Sequence, residues 1–197
     1  MGKERIRSFV AVSLPDAVRQ ALLEIQDHWK TYGFPVRWVR GEGIHLTLKF
    51  LGEIDVADVE TTVCAMRRAA ERHAPFRLRA EGVGVFPAVR NARVLWAGIG
   101  GGDRERLLAL QASLDQSLAD DGFPRDRRRF SGHLTLGRAK GKLSASALTQ
   151  ALSHWQTFRT EPFRVSEITL YSSRLLPGGA VYRPLERVGL KQLPKIG

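Results

Sequence analysis

Residues 44–51 read IHLTLKFL and residues 132–138 read GHLTLGR. The chain holds only five histidines, and two of them open the same tetrapeptide, once in each half. Two further echoes keep the same order: GFP at 33–35 and 122–124, and PFR at 75–77 and 162–164. Taken along the chain, the GFP, HLTL and PFR pairs are separated by 89, 88 and 87 residues. Self-similarity at a near-fixed spacing is the mark of an internal repeat. The chain therefore reads as a duplication of about 1–90 and 91–197 within one bilobal domain, 1–197.

The segments around the motifs fit one α+β unit built twice. Residues 6–14 (IRSFVAVSL) form a short apolar run rich in strand formers, and Pro15-Asp16 opens an amphipathic helix over 16–32. The second half repeats this with a strand over 92–100 and a helix over 103–122 that ends at glycine. Each half then carries its HLTL strand, a second helix (55–73 and 144–155) and a strand opening at PFR (76–86 and 163–172). A last strand is expected over 178–190. The fold class expected is α+β: two pseudo-symmetric lobes with largely antiparallel sheets facing a central cleft, and helices on the outer faces.

Strand side chains alternate, so His45, Thr47 and Lys49 share one face while Leu46, Leu48 and Phe50 share the other. In the second copy His133 and Thr135 point together against Leu134 and Leu136. The leucine faces belong to the cores, which leaves the His-Thr faces for the cleft. A lone histidine on a strand is an ordinary satisfied side chain. Two His-x-Thr units at repeat-equivalent places are not, because burying both would desolvate polar groups without return.

Paired imidazoles titrating near neutrality suit one chemistry well: the neutral ring takes a proton while the protonated ring gives one. The threonine hydroxyls can bond the non-bridging oxygens of a tetrahedral phosphorus, and Lys49 and Arg138 can add positive charge. The pattern points to a phosphodiester site that works without metal or other cofactor. A zinc site needs three or four ligands, and no third His, Cys or carboxylate stands at ligand spacing. The chain has no G-x-S-x-G elbow, and GIGGGD (98–103) lacks the Lys-Ser/Thr of a phosphate loop and reads as a turn. His28, His73 and His154 fall in or near helices and are expected to be solvated.

Composition sets outer bounds. Of 197 residues 43% are hydrophobic, enough for a sizeable core. Lys and Arg number 31 against 20 Asp and Glu, a formal charge of +11 that favours a polyanionic partner, nucleic acid foremost. Cys64 is the single cysteine, which excludes a disulfide framework, and it reads as a small buried hydrophobe. No stretch approaches the roughly 20 apolar residues of a membrane span, and the basic N-terminus lacks a secretory core. The expectation is a cytoplasmic, monomeric protein without membrane contact.

RWVRGEGIHLTLKFLGE and RRFSGHLTLGR resemble the two signature segments of the 2H phosphoesterases. More narrowly, the chain resembles the bacterial and archaeal RNA 2′,3′-cyclic phosphodiesterases, long called 2′-5′ RNA ligases. The likeness extends to RSFVAVSLP, VGVFP (83–87), RVLWAGI (93–99) and LYSSRLLPGGAVYRPL (170–185). The resemblance implies a two-lobed fold and hydrolysis of a 2′,3′-cyclic phosphate at an RNA or nucleotide end to a 2′-phosphate, together with reversible 2′-5′ RNA ligation as a further expected activity. It implies catalytic roles for His45 and His133, the first as acid on the leaving 3′ oxygen and the second as base on water. It places Thr47, Thr135 and Arg138 on the phosphate. One departure stands out: Gly132 precedes the second histidine where the family often has proline.

For RNA beyond the reacting phosphate, Arg127, Arg128 and Arg129 in RDRRRF (125–130) are candidate backbone contacts, and Trp38 and Tyr171 candidate base-stacking rings. The alternatives at this stage are a loop that is merely solvated and rings that belong to the core. Two other classes of function also stay open, a non-catalytic nucleotide-binding module and a basic RNA-chaperoning protein. The second predicts that the histidines can be replaced with little loss. Against the first stand the intact His and Thr of both motifs, since binding alone does not need two proton-transfer groups.

Overall fold

The computed structural model describes residues 4–176 and 179–191. Its elements run β1 (Arg5–Val12), α1 (Asp16–Lys30), β2 (Val36–Trp38), β3 (Leu46–Asp55), α2 (Asp58–Ala70), β4 (Phe76–Phe86), β5 (Val94–Gly100), α3 (Arg104–Asp120), β6 (His133–Ala139), α4 (Ala145–Ser153), β7 (Phe163–Val165), β8 (Glu167–Leu176) and β9 (Gly179–Gly189). Gly178, the first residue of the expected final strand, lies outside the described residues.

The helices form where the sequence places apolar residues at helical spacing. Val18, Leu22, Ile25 and Trp29 are the buried stripe of α1, and Leu107, Leu110, Leu114 and Leu118 that of α3. Both helices are followed by a glycine in the left-handed region, Gly33 at φ 64° and Gly122 at φ 89°. Each glycine amide closes back onto the helix end, at Lys30 O and Ala119 O. The repeated GFP is thus the terminator of the first helix of each half, where any residue with a Cβ is strained.

Every strand pairing is antiparallel, in the order β7-β4-β5-β6-β3-β1-β8-β9, with β2 added to β6. The two halves of this α+β sheet meet at the centre through one pair, Leu46 opposite Leu134. The third strand of each half does not stay at home: β4 pairs with β5 and β7, whereas β8 pairs with β1. The expected strand over 163–172 is accordingly two, broken at Ser166, with β7 on one side of the molecule and β8 on the other. Helices interlock in the same sense. Trp29 Nε1 of α1 donates to Ala151 O of α4, and α2 packs on α3.

One irregularity, present twice, decides which side chains reach the cleft. Along β1–β3, Val10 pairs with Lys49 and Ala11 with Thr47, so Leu48 has no partner. Along β5–β6, Leu95 pairs with Gly137 and Trp96 with Thr135, so Leu136 has none. Each is a bulge, which inserts one residue and resets the alternation beyond it. The carbonyls of these extra residues are taken by buried helix glutamines. Gln26 Nε2 reaches Leu136 O at 2.8 Å, and Gln111 Nε2 reaches Leu48 O at 3.5 Å. Leu136 O also accepts from Val39 N at 2.9 Å, so Gln26 is its second donor, and the polar residue on each buried stripe is itself satisfied by a bulge carbonyl.

Candidate active site

The motif strands present their small polar faces to a cleft of about 730 Å³ whose lining includes His45, Thr47, His133, Thr135 and Arg138. Leu46, Leu48, Leu134 and Leu136 face the opposite way and are buried. The two histidines are held alike. His45 Nδ1 donates to Gly43 O at 2.9 Å, and His133 Nδ1 donates to Ser131 O at 2.8 Å. A carbonyl can only accept, so each Nδ1 carries its proton and each Nε2 remains for chemistry.

Their surroundings differ. His45 stacks on Phe9 at 4.6 Å between ring centroids and meets the edge of Tyr182 at 5.1 Å. Phe9 in turn stacks on Tyr171. His133 has only the edge of Phe86, at 5.1 Å. Burial pulls the His45 imidazole down to about 4; the Gly43 carbonyl opposes this, and the charges of Arg138 and His133 add to it. His45 is therefore neutral at pH 6–8 in the empty cleft. A bound phosphate anion offsets Arg138 and favours the charged ring, so its pKa must rise on binding. An NMR titration of the imidazole should show a midpoint near 4 without ligand and an upward shift with inorganic phosphate. An unchanged midpoint at saturation would place the anion away from His45.

Several assignments from the sequence move. Lys49 lies beyond the bulge and turns under the sheet, 2% exposed, where its ammonium meets Asp115 Oδ1 at 2.5 Å, Asp126 Oδ1 at 3.1 Å and Pro124 O at 2.8 Å. It holds the approach to β6 from behind and does not face the cleft. Phe50 takes the cleft position instead and is 60% exposed. Tyr171 is absent from the cleft wall, its ring against Phe9 and its hydroxyl 2.7 Å from Ser13 Oγ. Arg127, Arg128 and Arg129 are exposed but do not contribute to the cleft lining. Trp38 reaches the rim, with its ring beside Gly137, where a Cβ would meet Trp38 Cε3 at 3.0 Å and Val36 Cγ1 at 2.5 Å.

Gly132 carries no such requirement. A Cβ there would stand 3.4 Å from Leu107 and 3.5 Å from Leu46 and Phe130, which is ordinary contact. The departure from proline thus leaves His133 anchored through Ser131. His28 and His154 are not simply solvated: their rings lie 4.3 Å apart, and Trp155 Nε1 donates to His28 Nδ1. His73 Nε2 is 2.9 Å from Ser113 Oγ. Cys64 is half-buried rather than buried. Among the described residues no three His, Cys, Asp or Glu side chains group to hold a metal ion, and no helix is long and apolar enough to cross a membrane.

The cleft also holds groups that the sequence did not single out: Arg7, Arg37, Arg40, Glu42 and Tyr182. Arg37 and Arg40 flank Trp38 just before the first motif. Two arginines three residues apart just ahead of the motif were the available signal.

A fold of paired antiparallel half-sheets with two His-x-Thr strands side by side defines a phosphoesterase architecture, and comparison with known proteins agrees. The family model described as "LigT like Phosphoesterase" matches residues 12–96 and 101–182. The chain belongs to this family, within the 2H superfamily. It is 34% identical to the RNA 2′,3′-cyclic phosphodiesterase of Methanothermobacter thermautotrophicus over 92% of this chain and 97% of that one. With the protein of the same name from Thermus thermophilus it shares 32% identity over 94% and 91%. Among solved structures, TT0787 of Thermus thermophilus superposes with a TM-score of 0.78 at 29% identity, covering 94% of this chain and 98% of that one. LigT of E. coli complexed with 3′-AMP gives 0.74 at 29% identity, covering 96% and 100%.

Proposed function

We propose that the protein hydrolyses the 2′,3′-cyclic phosphate at an RNA or nucleotide end to a 2′-phosphate, using His45 and His133 as its proton-transfer pair and no metal. The observation that carries this reading is the matched anchoring of two imidazoles in one cleft, each by Nδ1 on the carbonyl two residues back. Similarity to several RNA 2′,3′-cyclic phosphodiesterases supports the substrate class.

In the proposed reaction the cyclic phosphate sits between Thr47 and Thr135, whose hydroxyls donate to its non-bridging oxygens. Arg138 neutralises charge as it gathers on phosphorus. His133 Nε2 takes a proton from water, whose oxygen attacks phosphorus. The bond to the 3′ oxygen breaks as His45 Nε2, protonated once the anion is bound, delivers a proton to it. Water supplies OH to phosphorus and the 3′ oxygen leaves as a hydroxyl, so the product carries a 2′-phosphate. With a 5′-hydroxyl in place of water, the same displacement forms a 2′-5′ linkage. Phe50, an apolar ring left open to the cleft, offers a face on which the terminal base can stack.

The deciding assay presents a short RNA with a 2′,3′-cyclic phosphate in EDTA and separates 2′- from 3′-phosphate product. The expected result is 2′-phosphate alone, at a rate that EDTA does not change. Loss of turnover with chelator and recovery with zinc or manganese would overturn the metal-free mechanism; a 3′-phosphate product would overturn the direction of displacement.

A further inference from the structure

The cleft contains a like-charge pair that the reaction at the cyclic phosphate does not account for. Arg37 on β2 stands directly opposite Arg138 on β6 in the antiparallel ladder. Directly opposed residues share a face with their Cβ atoms about 5 Å apart, and two cations so placed repel one another. Both line the cleft. Of the described arginines outside the cleft, some meet a carboxylate, Arg5, Arg19, Arg67, Arg68 and Arg187 among them, and other surface arginines do not. Among the described residues Arg37, Arg40 and Arg138 meet none. The one carboxylate in the cleft lining is Glu42. Arg7, the remaining cleft arginine, differs because it lies opposite Glu53 in the β1–β3 ladder.

Arg77 and Arg164 oppose one another in the same way on β4 and β7 outside the cleft, so opposition alone calls for no anion. Within the cleft, where Glu42 is the lining carboxylate, guanidinium forks match the paired oxygens of a phosphodiester. With Arg138 engaged by the reacting phosphate in the mechanism above, Arg37 beside it is free to take a second phosphate. A cyclic end continues only on its 5′ side, and the next phosphate along the chain is the linkage one nucleotide upstream. We propose that Arg37, together with Arg40 on the same stretch, forms a second phosphate subsite beside Arg138 that holds this upstream linkage. The substrate is then an RNA oligonucleotide with a cyclic end, in preference to a cyclic mononucleotide. The subsite rests on the cyclic phosphodiesterase reading.

The test compares kcat/KM for 2′,3′-cyclic AMP with that for a 5′-hydroxyl tetranucleotide ending in the same cyclic adenylate, across a salt series. Wild type should favour the oligonucleotide, and in Arg37→Gln that preference ratio should fall about tenfold, the loss typical of one charge-assisted phosphate contact. The slope of log kcat/KM against log salt for the oligonucleotide should become shallower by about 0.7 for each arginine removed, in Arg37→Gln and again in Arg37→Gln/Arg40→Gln. Arg37→Lys should keep part of the preference, because lysine retains the charge without the fork. Arg37 and Arg40 are exposed, so these variants leave the core untouched. An unchanged ratio, or an equal loss on both substrates, would overturn the upstream subsite while leaving the phosphodiesterase reading in place. Failure of wild type to turn over either substrate would overturn that reading, and the subsite with it.

Discussion

Replacing either cleft histidine by alanine is expected to lower kcat on a 2′,3′-cyclic phosphate by between about 10²- and about 10⁴-fold, the range typical of a positioned acid or base. The two replacements combined should cost little more than the worse of them, because each proton transfer is useless without the other. The reason is how alike the rings are held. Both Nδ1 atoms are committed to backbone carbonyls, so neither ring can swap nitrogens to cover for its partner. His45→Ala also empties the space between Phe9 and Tyr182, so its thermal midpoint must be measured beside its rate. Among the aromatic rings of the described residues His133 meets only the edge of Phe86, so it gives the cleaner measurement. Steady-state kinetics at saturating substrate is the check. A variant of either histidine that kept more than about a tenth of wild-type kcat would end the paired-proton account, and with it the distinction from a binding module.

The same strands show what a sequence can and cannot disclose. The repeat and the period-two pattern place His45, Thr47, His133 and Thr135 on the cleft face, because up to that point each strand is regular. One residue further on, the rule fails in both copies. Leu48 and Leu136 bulge, and the alternation is inverted beyond them: Lys49 and Gly137 turn under the sheet, while Phe50 and Arg138 turn into the cleft. Strict alternation would have sent Arg138 inward; its charge beside the motif and the family resemblance, not the strand period, pointed to the phosphate. The bulge comes with partners invisible in the strand's own residues, a glutamine on a helix from the other half that bonds the displaced carbonyl, and for Leu136 the Val39 amide as well. Partner choice was hidden for a related reason. Repeats give the order of elements, but the crossing of β4 and β8 into opposite sides depends on pairing between distant segments. β2 is three residues long, too short for any period to show, yet it carries Arg37 into the cleft.

Lys49 yields the other large effect, on stability. Its ammonium is buried and lies between Asp115 and Asp126, with Pro124 O as a further acceptor. Removing one partner of a buried pair leaves the other charge desolvated, which costs about 3–5 kcal/mol. Asp115 retains some exposure and Asp126 retains more, so Lys49→Ala belongs at the lower end, about 3 kcal/mol. In a chain of this size that lowers Tm by about 6–12 °C. The loss should be shared with the acid: Asp115→Ala alone should cost a comparable amount, and the two together clearly less than their sum. A second readout is local. Lys49 fixes the start of the 125–130 segment through Pro124 O and Asp126, so Lys49→Ala should speed tryptic cleavage among Arg125–Arg129 well below the melting temperature. A shift in Tm under about 2 °C, or additive single-variant losses, would mean that the ion pair is solvated in solution. That result would also remove the link by which the first motif strand steadies the approach to the second.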